Sequence, residues 1–303
     1  MSSTPSSPIV RVGVAGWQFP HWDRYVYPRP KPRSFHPLEF LAERFDVVEA
    51  PQPFYDYPRP ELTRLWASKV EHNPRFQFTV RLHRDFTHER SLDAAKIKAF
   101  SEGLEPLAKR GKLGCVLMQF PSAFRFNAEN KDFLIRLRRE FHRFPLVAEL
   151  RHGSWATEEG VGTLIDYHIS FCNLDQPEGV RATPPTSYLT WRLGYVKLHG
   201  RQVGPAHDAF DDRSYRVTGN DYLYSLAQLE QWKARIARFA PHAEATYVIF
   251  NNDASGKSVI NALQMQSVIQ GVERPVAKPP AVVIPIRPVE VPAAPVQQSL
   301  FAA

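Results

Sequence analysis

Eight short apolar runs, each followed by a longer stretch, govern what this chain can fold into. The runs lie at 11–15, 46–50, 76–81, 114–120, 146–150, 169–173, 195–199 and 246–250. Between and after them lie segments of helical period at 37–44, 60–70, 93–110, 129–140, 157–168, 222–239 and 257–270. Such alternation is the pattern of repeated βα units around a parallel sheet. The connection from Leu174 to Leu193 is the weak unit, because it is rich in proline and reads poorly as helix. Eight parallel strands with crossover helices imply a closed barrel, although an open doubly wound sheet gives a similar linear pattern. The first run ends in GVAGWQFPHW, where bulky Trp17 follows Gly16 and no G-x-G-x-x-G opens a helix. The dinucleotide cradle of an open sheet is therefore missing, and no dinucleotide cofactor is expected. The predicted fold is α/β: a single TIM-type (β/α)8 barrel over residues 11–272, followed by a Pro-rich extended tail.

The flanks read differently. Residues 1–10 are expected to be disordered, and MSSTPSSP lacks the basic and apolar regions of a signal peptide. No run of about 18 apolar residues occurs, so a cytoplasmic location without membrane contact is expected. After Val272 the sequence holds seven prolines and no glycine. Proline fixes φ and supplies no amide donor, so 273–303 should be a semi-rigid linker outside any sheet or helix core. With 43% hydrophobic residues the remainder can fill a large core, which excludes wholesale disorder. Cys115 and Cys172 each sit inside an apolar run and read as buried thiols, neither a disulfide framework nor a zinc site.

In a barrel of this type the working site lies at the carboxyl ends of the strands, where this sequence is unusually polar. Strand side chains alternate with period two. Taking the polar terminal residue of each run as inward gives a mouth of Glu49, Arg81, Gln119, Glu149, Arg151, Asn173, Lys197, His199 and Asn251. Val48, Phe78, Val80, Met118, Leu150, Val196 and Leu198 then face the helices. Tyr195, Lys197, His199 and Arg201 share one side of their run. Loops beyond these ends carry Trp17, Trp22, Tyr25, Phe54, Tyr55, His88, His152 and Trp155, a wall suited to a planar or sugar-like group. A structural reading competes with the functional one: Glu49 with Arg81, or Glu149 with Arg151, could satisfy each other in a buried ionic layer.

Glu49, Glu149, His199 and Asp253 could also hold a divalent metal. Their spacing is not diagnostic, and the same mouth carries Arg81, Arg151 and Lys197 against two inward carboxylates. A cation-rich pocket suits an anionic ligand better than a bare metal ion. Lys plus Arg exceed Asp plus Glu by 38 to 31, a modest excess that agrees with anionic partners and nucleic acid.

The motifs GVAGW (13–17), VEAPQPFY (48–55), FQFTVR (76–81), FTH (86–88), LGCVLMQFPSAF (113–124), AELRHGSW (148–155), YVKLHGR (195–201) and FNND (250–253) together resemble the family called domain of unknown function 72, or YecE-like proteins. The resemblance runs from about residue 11 to 268. It implies a TIM-type barrel with a pocket at Glu49, Gln119, Glu149, Arg151, His152, Trp155, His199 and Asn251, and it supplies no reaction. This sequence departs from the family pattern at Ala50, Pro51, Gln52 and Pro53, where an Asn and a hydroxyl are usual. Val14 stands where Thr or Ser is common, and Arg81 where Lys is.

The chain ends in QQSLFAA, which resembles the Q-x-[SD]-L-F peptide by which many bacterial proteins dock to the replication sliding clamp. Gln297 would be the polar anchor and Leu300 and Phe301 the apolar plugs, with the linker raising local concentration. A rival reading folds this apolar end back onto the barrel. The leading functional expectation is an enzyme acting on a phosphate- or carboxylate-bearing substrate, nucleic-acid-derived ones included. Glu49, Glu149 and His199 would carry protons while Arg81, Arg151 and Lys197 hold negative charge. Hydrolysis of phosphodiesters is the first class to test and sugar or carbonyl isomerisation the second. Trp17, Tyr55, His88, Gln119, His152, Trp155, Asn173, Asn251 and Asp253 would join those three cations in binding the substrate. The alternative is a non-catalytic nucleotide- or DNA-binding module.

Overall fold

The computed structural model describes residues 8–179, 181–202 and 221–271. Eight parallel strands close into a barrel in chain order: β1 (Val10–Ala15), β2 (Val47–Ala50), β3 (Gln77–Arg81), β4 (Leu113–Gln119), β5 (Leu146–Glu149), β6 (Ser170–Asp175), β7 (Leu193–Leu198) and β8 (Ala245–Phe250). The ring is sealed by β8 on β1, with Val10 beside Thr246 and Val14 beside Phe250. Helices follow as α1 (Trp22–Tyr25), α2 (Pro37–Ala42), α3 (Pro60–Lys69), α4 (Arg84–Thr87), α5 (Ala94–Lys109), α6 (Ala128–Glu140), α7 (Glu158–Asp166), α8 (Leu226–Ala237) and α9 (Lys257–Gln270). All eight runs and all seven helical segments expected from the sequence are present, with ends shifted by a few residues. Val10 already belongs to β1, residues 1–7 lie outside the described residues, and so does the tail with Gln297, Leu300 and Phe301.

Local chemistry explains the starts of the helices. Pro37 and Pro60 occupy first-turn positions, where a missing N–H costs nothing. Asp93, Asn127 and Thr157 accept from the backbone N–H groups of Lys96, Asn130 and Gly160, and Ser225 forms a reciprocal capping box with Gln228. Each cap contributes about 1 kcal/mol. The weak unit forms no helix among its described residues, and threonines fasten it instead. Thr183 Oγ1 donates to Leu150 O, Thr186 Oγ1 to Asn173 Oδ1, and Thr190 Oγ1 to Ile169 O.

Two apolar layers result. Inside the barrel lie Ala15, Val47, Cys115, Leu117, Val147, Cys172, Leu174, Tyr195, Tyr247 and Ile249. Val48, Phe78, Val80, Met118, Leu150, Val196 and Leu198 face the helices, as period two requires. Both cysteines are free and buried. The phasing of β6 corrects one expectation. Cys172 and Leu174 point inward, so Asn173 points out of the barrel. Its amide donates to Tyr188 O and Tyr195 O and its oxygen accepts from Thr186 Oγ1 and Tyr188 N, which pins the helix-less connection. No helix among the described residues is long and apolar enough to cross a membrane.

Candidate functional site

At the carboxyl ends of β2, β3, β5, β7 and β8 six side chains form a closed circuit. Glu49 Oε1 accepts from Arg81 Nε at 2.5 Å, and Arg81 Nη2 donates to Asn251 Oδ1 at 3.1 Å. Asn251 Nδ2 meets His199 Nδ1 at 3.0 Å, and His199 Nε2 meets Glu149 Oε1 at 3.1 Å. Lys197 Nζ closes the ring, 2.8 Å from Glu149 Oε2 and 2.9 Å from Glu49 Oε1. Because the Asn251 amide donates to Nδ1, the imidazole proton sits on Nε2 and is donated to Glu149. Arg151 Nε adds a bond to Glu149 Oε1 at 3.0 Å, and Gln119 Oε1 lies 3.5 Å from Lys197 Nζ.

Glu49, Glu149, Lys197 and His199 are fully buried, whereas the side chain of Arg81 is 12% exposed and that of Arg151 is 8% exposed. Burial pushes the Glu49 carboxyl up, but Arg81 and Lys197 outweigh it and hold it below the usual carboxylate range. Glu149 is held further below, since Lys197, His199 and Arg151 together overcome its burial. Burial, assisted by Arg151 and Lys197, lowers His199 to about 4 despite the pull of Glu149. At neutral pH the ring and the attached Arg151 therefore carry three cations, two carboxylates and a neutral imidazole. The pairs Glu49 with Arg81 and Glu149 with Arg151 do form, and among these side chains the cations outnumber the carboxylates by one.

Eight of the expected mouth residues meet here: Glu49, Arg81, Gln119, Glu149, Arg151, Lys197, His199 and Asn251. The aromatic wall is less complete. Trp17 is buried against Trp66 and Phe78 on the helix side, at ring distances of 5.1 and 6.1 Å. Trp22 is also buried. Trp155 stacks on Phe124 and donates its indole N–H to Phe124 O. These indoles pack the loops because a large apolar ring gains more from burial than from lining an open mouth. Tyr55 is 45% exposed, and His88 packs edge-on against Phe54 at 5.1 Å. His152 caps the turn at Ser154, and burial lowers its pKa. Asp253 sits at the rim, its carbonyl accepting from Trp22 Nε1 and facing His21 Nε2.

The four residues considered as metal ligands do not converge. Glu49 is engaged by Arg81, Lys197 and Tyr195, and the Asp253 carboxylate faces His21 at 3.7 Å. Among the described residues no three His, Cys, Asp or Glu side chains are grouped to hold a metal ion.

Sequence reading put Tyr195 on the inward side without a role, and missed Thr79 and Asp175. Tyr195 OH donates to Glu49 Oε2 at 2.9 Å and lies 3.1 Å from Thr79 Oγ1, a second layer beneath the ring. Their inward phase, two residues before Lys197 and Arg81, was the available signal. Buried Asp175 receives a two-point bond from Arg201 and the indole N–H of Trp232. Arg201 continues the phase of His199 in sequence but leaves the ring, because Gly200 at φ 101° breaks the strand geometry.

Fold and site define a (β/α)8-barrel protein with a buried ionic ring at the carboxyl ends of its strands. The chain belongs to the DUF72 family, described as a protein of unknown function, whose model matches residues 11–282. It is similar to the UPF0759 protein YunF of Bacillus subtilis (strain 168), 26% identical over 86% of this chain and 95% of that protein. Among solved structures, a DUF72 family protein from Thermotoga maritima MSB8 is 29% identical, covers 86% of this chain and 99% of its own, and superposes with a TM-score of 0.71. Another from Enterococcus faecalis V583 is 24% identical over 86% of this chain and 96% of its own, with a TM-score of 0.75.

Proposed function

We propose that this protein is a barrel enzyme that takes a phosphate- or carboxylate-bearing substrate at its mouth and moves a proton through the Glu149 and His199 pair. The supporting observation is that three cations meet two carboxylates in the ring and the Arg151 beside it, where Arg81 and Arg151 are partly exposed and Lys197 is fully buried. An anion against them neutralises that surplus, and their planar N–H forks suit two-point contact with such a group. Glu149 fixes the imidazole with its proton on Nε2, so Nδ1 can take a proton from substrate once the Asn251 amide that donates to it turns aside. Held at about 4, this imidazole is a weak base at neutral pH. A bound anion offsets the cations that depress it, so the base strengthens when substrate arrives. Glu49 acts as counter-charge, keeping Arg81 and Lys197 in place.

Phosphodiester hydrolysis, on nucleic-acid-derived substrates among others, is the first reaction class this arrangement serves; sugar or carbonyl isomerisation is the second. In this proposal the C-terminal peptide, through Gln297, Leu300 and Phe301, brings the barrel to the sliding clamp, which would place it in DNA repair or replication. A panel of phosphodiesters and sugar phosphates tests the chemistry. Glu149→Gln and His199→Asn should each lower turnover by about a hundredfold or more while the fold persists. Unchanged turnover in both folded variants removes the assigned roles. A second reading, a non-catalytic nucleotide- or DNA-binding module, is favoured by the saturation of both carboxylates with cations; ligand binding without turnover of any panel member selects it.

A further inference from the structure

The connection from β1 to α2, residues 16–36, leaves the barrel beside the ring, since Gly16 N donates to Glu49 O at 2.9 Å. Trp22 is buried at its base and donates to Asp253 O at 3.0 Å, which ties the connection to the end of β8. The Tyr27 hydroxyl donates to Trp17 O and fastens the return. Beyond these anchors runs the sequence Pro28, Arg29, Pro30, Lys31, Pro32, Arg33, exposed throughout. Alternating prolines restrict φ at every second position, so little conformational freedom is left to lose on binding.

Charge on this connection is one-sided. Arg24, Arg29, Lys31 and Arg33 are all exposed, and Asp23 is the only acid between Gly16 and His36. That acid is taken by Lys31 at 2.5 Å. Arg29 directs Nε to the Asp23 carbonyl, Arg24 lies over the Tyr25 ring at 5.5 Å, and Arg33 meets no acid among the described residues. Three guanidinium groups, Arg24 on α1 and Arg29 and Arg33 on the proline-rich stretch, therefore meet no carboxylate among the described residues, on a connection whose base adjoins the mouth. At its base the half-buried rings of Phe19 and His21 lie 5.4 Å apart and offer a stacking surface.

We infer that this loop is a contact surface for the phosphodiester backbone of a nucleic acid, which it leads toward the ring. Exposed guanidinium groups that pair with no carboxylate, carried close together in sequence beside aromatic rings, suit a repeating phosphate chain with bases to stack. A lipid surface fits less well, because none of the large exposed apolar side chains among the described residues lies in this loop. The inference rests on the anion-site reading for the polymer's destination and not for the contact itself.

Binding of a 20-nucleotide single-stranded DNA to the full chain, followed by fluorescence anisotropy across a salt series, tests it. The triple variant Arg24→Ala, Arg29→Ala, Arg33→Ala should flatten the log K against log salt slope by about 2, since each released phosphate contact on a single strand is worth about 0.7. Affinity at low salt should fall more than tenfold. A control variant that removes three exposed cations from the barrel wall, Arg136→Ala, Arg139→Ala, Arg143→Ala, should keep the wild-type slope. Equal losses in both variants, no DNA binding by the wild type, or loop-dependent binding to acidic lipid vesicles or polyglutamate in place of DNA would each overturn the inference. The reading of the mouth fails separately: a wild type that ignores inorganic phosphate yet binds DNA through the loop supports this surface and removes the anion site.

Discussion

His199 is the side chain whose protonation the ring controls most visibly. An unfolded histidine titrates near 6.5, whereas burial and the neighbouring cations hold this one at about 4. As pH falls from 6.5, the unfolded chain takes up a proton that the folded chain still refuses. The stability attached to this depressed value is therefore complete above pH 6.5 and drains away toward pH 4, by roughly 3 kcal/mol. Glu149, whose folded value lies well below the ordinary range, adds a further loss as pH drops through that lower value. Thermal melts between pH 7 and pH 4 should show a descending limb that His199→Asn flattens; parallel curves for the two proteins would contradict the assignment. Period-two reading found most of this ring from sequence, because charged side chains at strand ends are seldom left without a common cavity. It misplaced Asn173, since an amide is satisfied as well by threading a loop as by lining a mouth. Tyr195 was placed on the inward side but given no role, and Thr79 none, because both look like ordinary strand residues until Glu49 is seen above them.

Individual elements were legible to within a few residues where a cap or proline marks the start, and less so where tertiary contacts decide. Gly103 illustrates the limit. Within α5, replacing a glycine by alanine should add up to about 1 kcal/mol of helix propensity. Here an added Cβ would lie 1.9 Å from the carbonyl oxygen of Pro58, and Thr63 Oγ1 donates to Gly103 O at 2.6 Å. Relieving that clash moves α5 away from α3 and stretches the bond between them, at a cost of about 1–3 kcal/mol. Gly103→Ala should accordingly lower the melting temperature by several degrees. An unchanged or raised midpoint would mean that the two helices separate freely. The β6 to β7 connection shows the opposite case, where proline content foretold the missing helix but not the threonine and asparagine bonds that replace it.

At the scale of the whole molecule, eight strand runs with seven helical segments and no dinucleotide fingerprint were enough to indicate closure, since closure is what a parallel sheet of eight covered strands achieves without exposed edges. The eight strands that close the barrel all lie among the described residues. Strand β8 pairs with β1, and α9 ends at Gly271 in the left-handed conformation at φ 65°. Nothing in that closure calls for Leu300 or Phe301, whose expected partner is a different protein. The double variant Leu300→Ala, Phe301→Ala should thus melt at the wild-type temperature and lose its affinity for a sliding clamp, as measured by surface plasmon resonance with the clamp immobilised. Losing both apolar plugs of a peptide tethered by a linker removes most of its binding free energy, because such interfaces concentrate affinity in few side chains. Undiminished binding would refute the docking peptide. A lowered melting temperature would show instead that the two residues pack against the barrel, and the tail would then belong to the fold and not to recruitment.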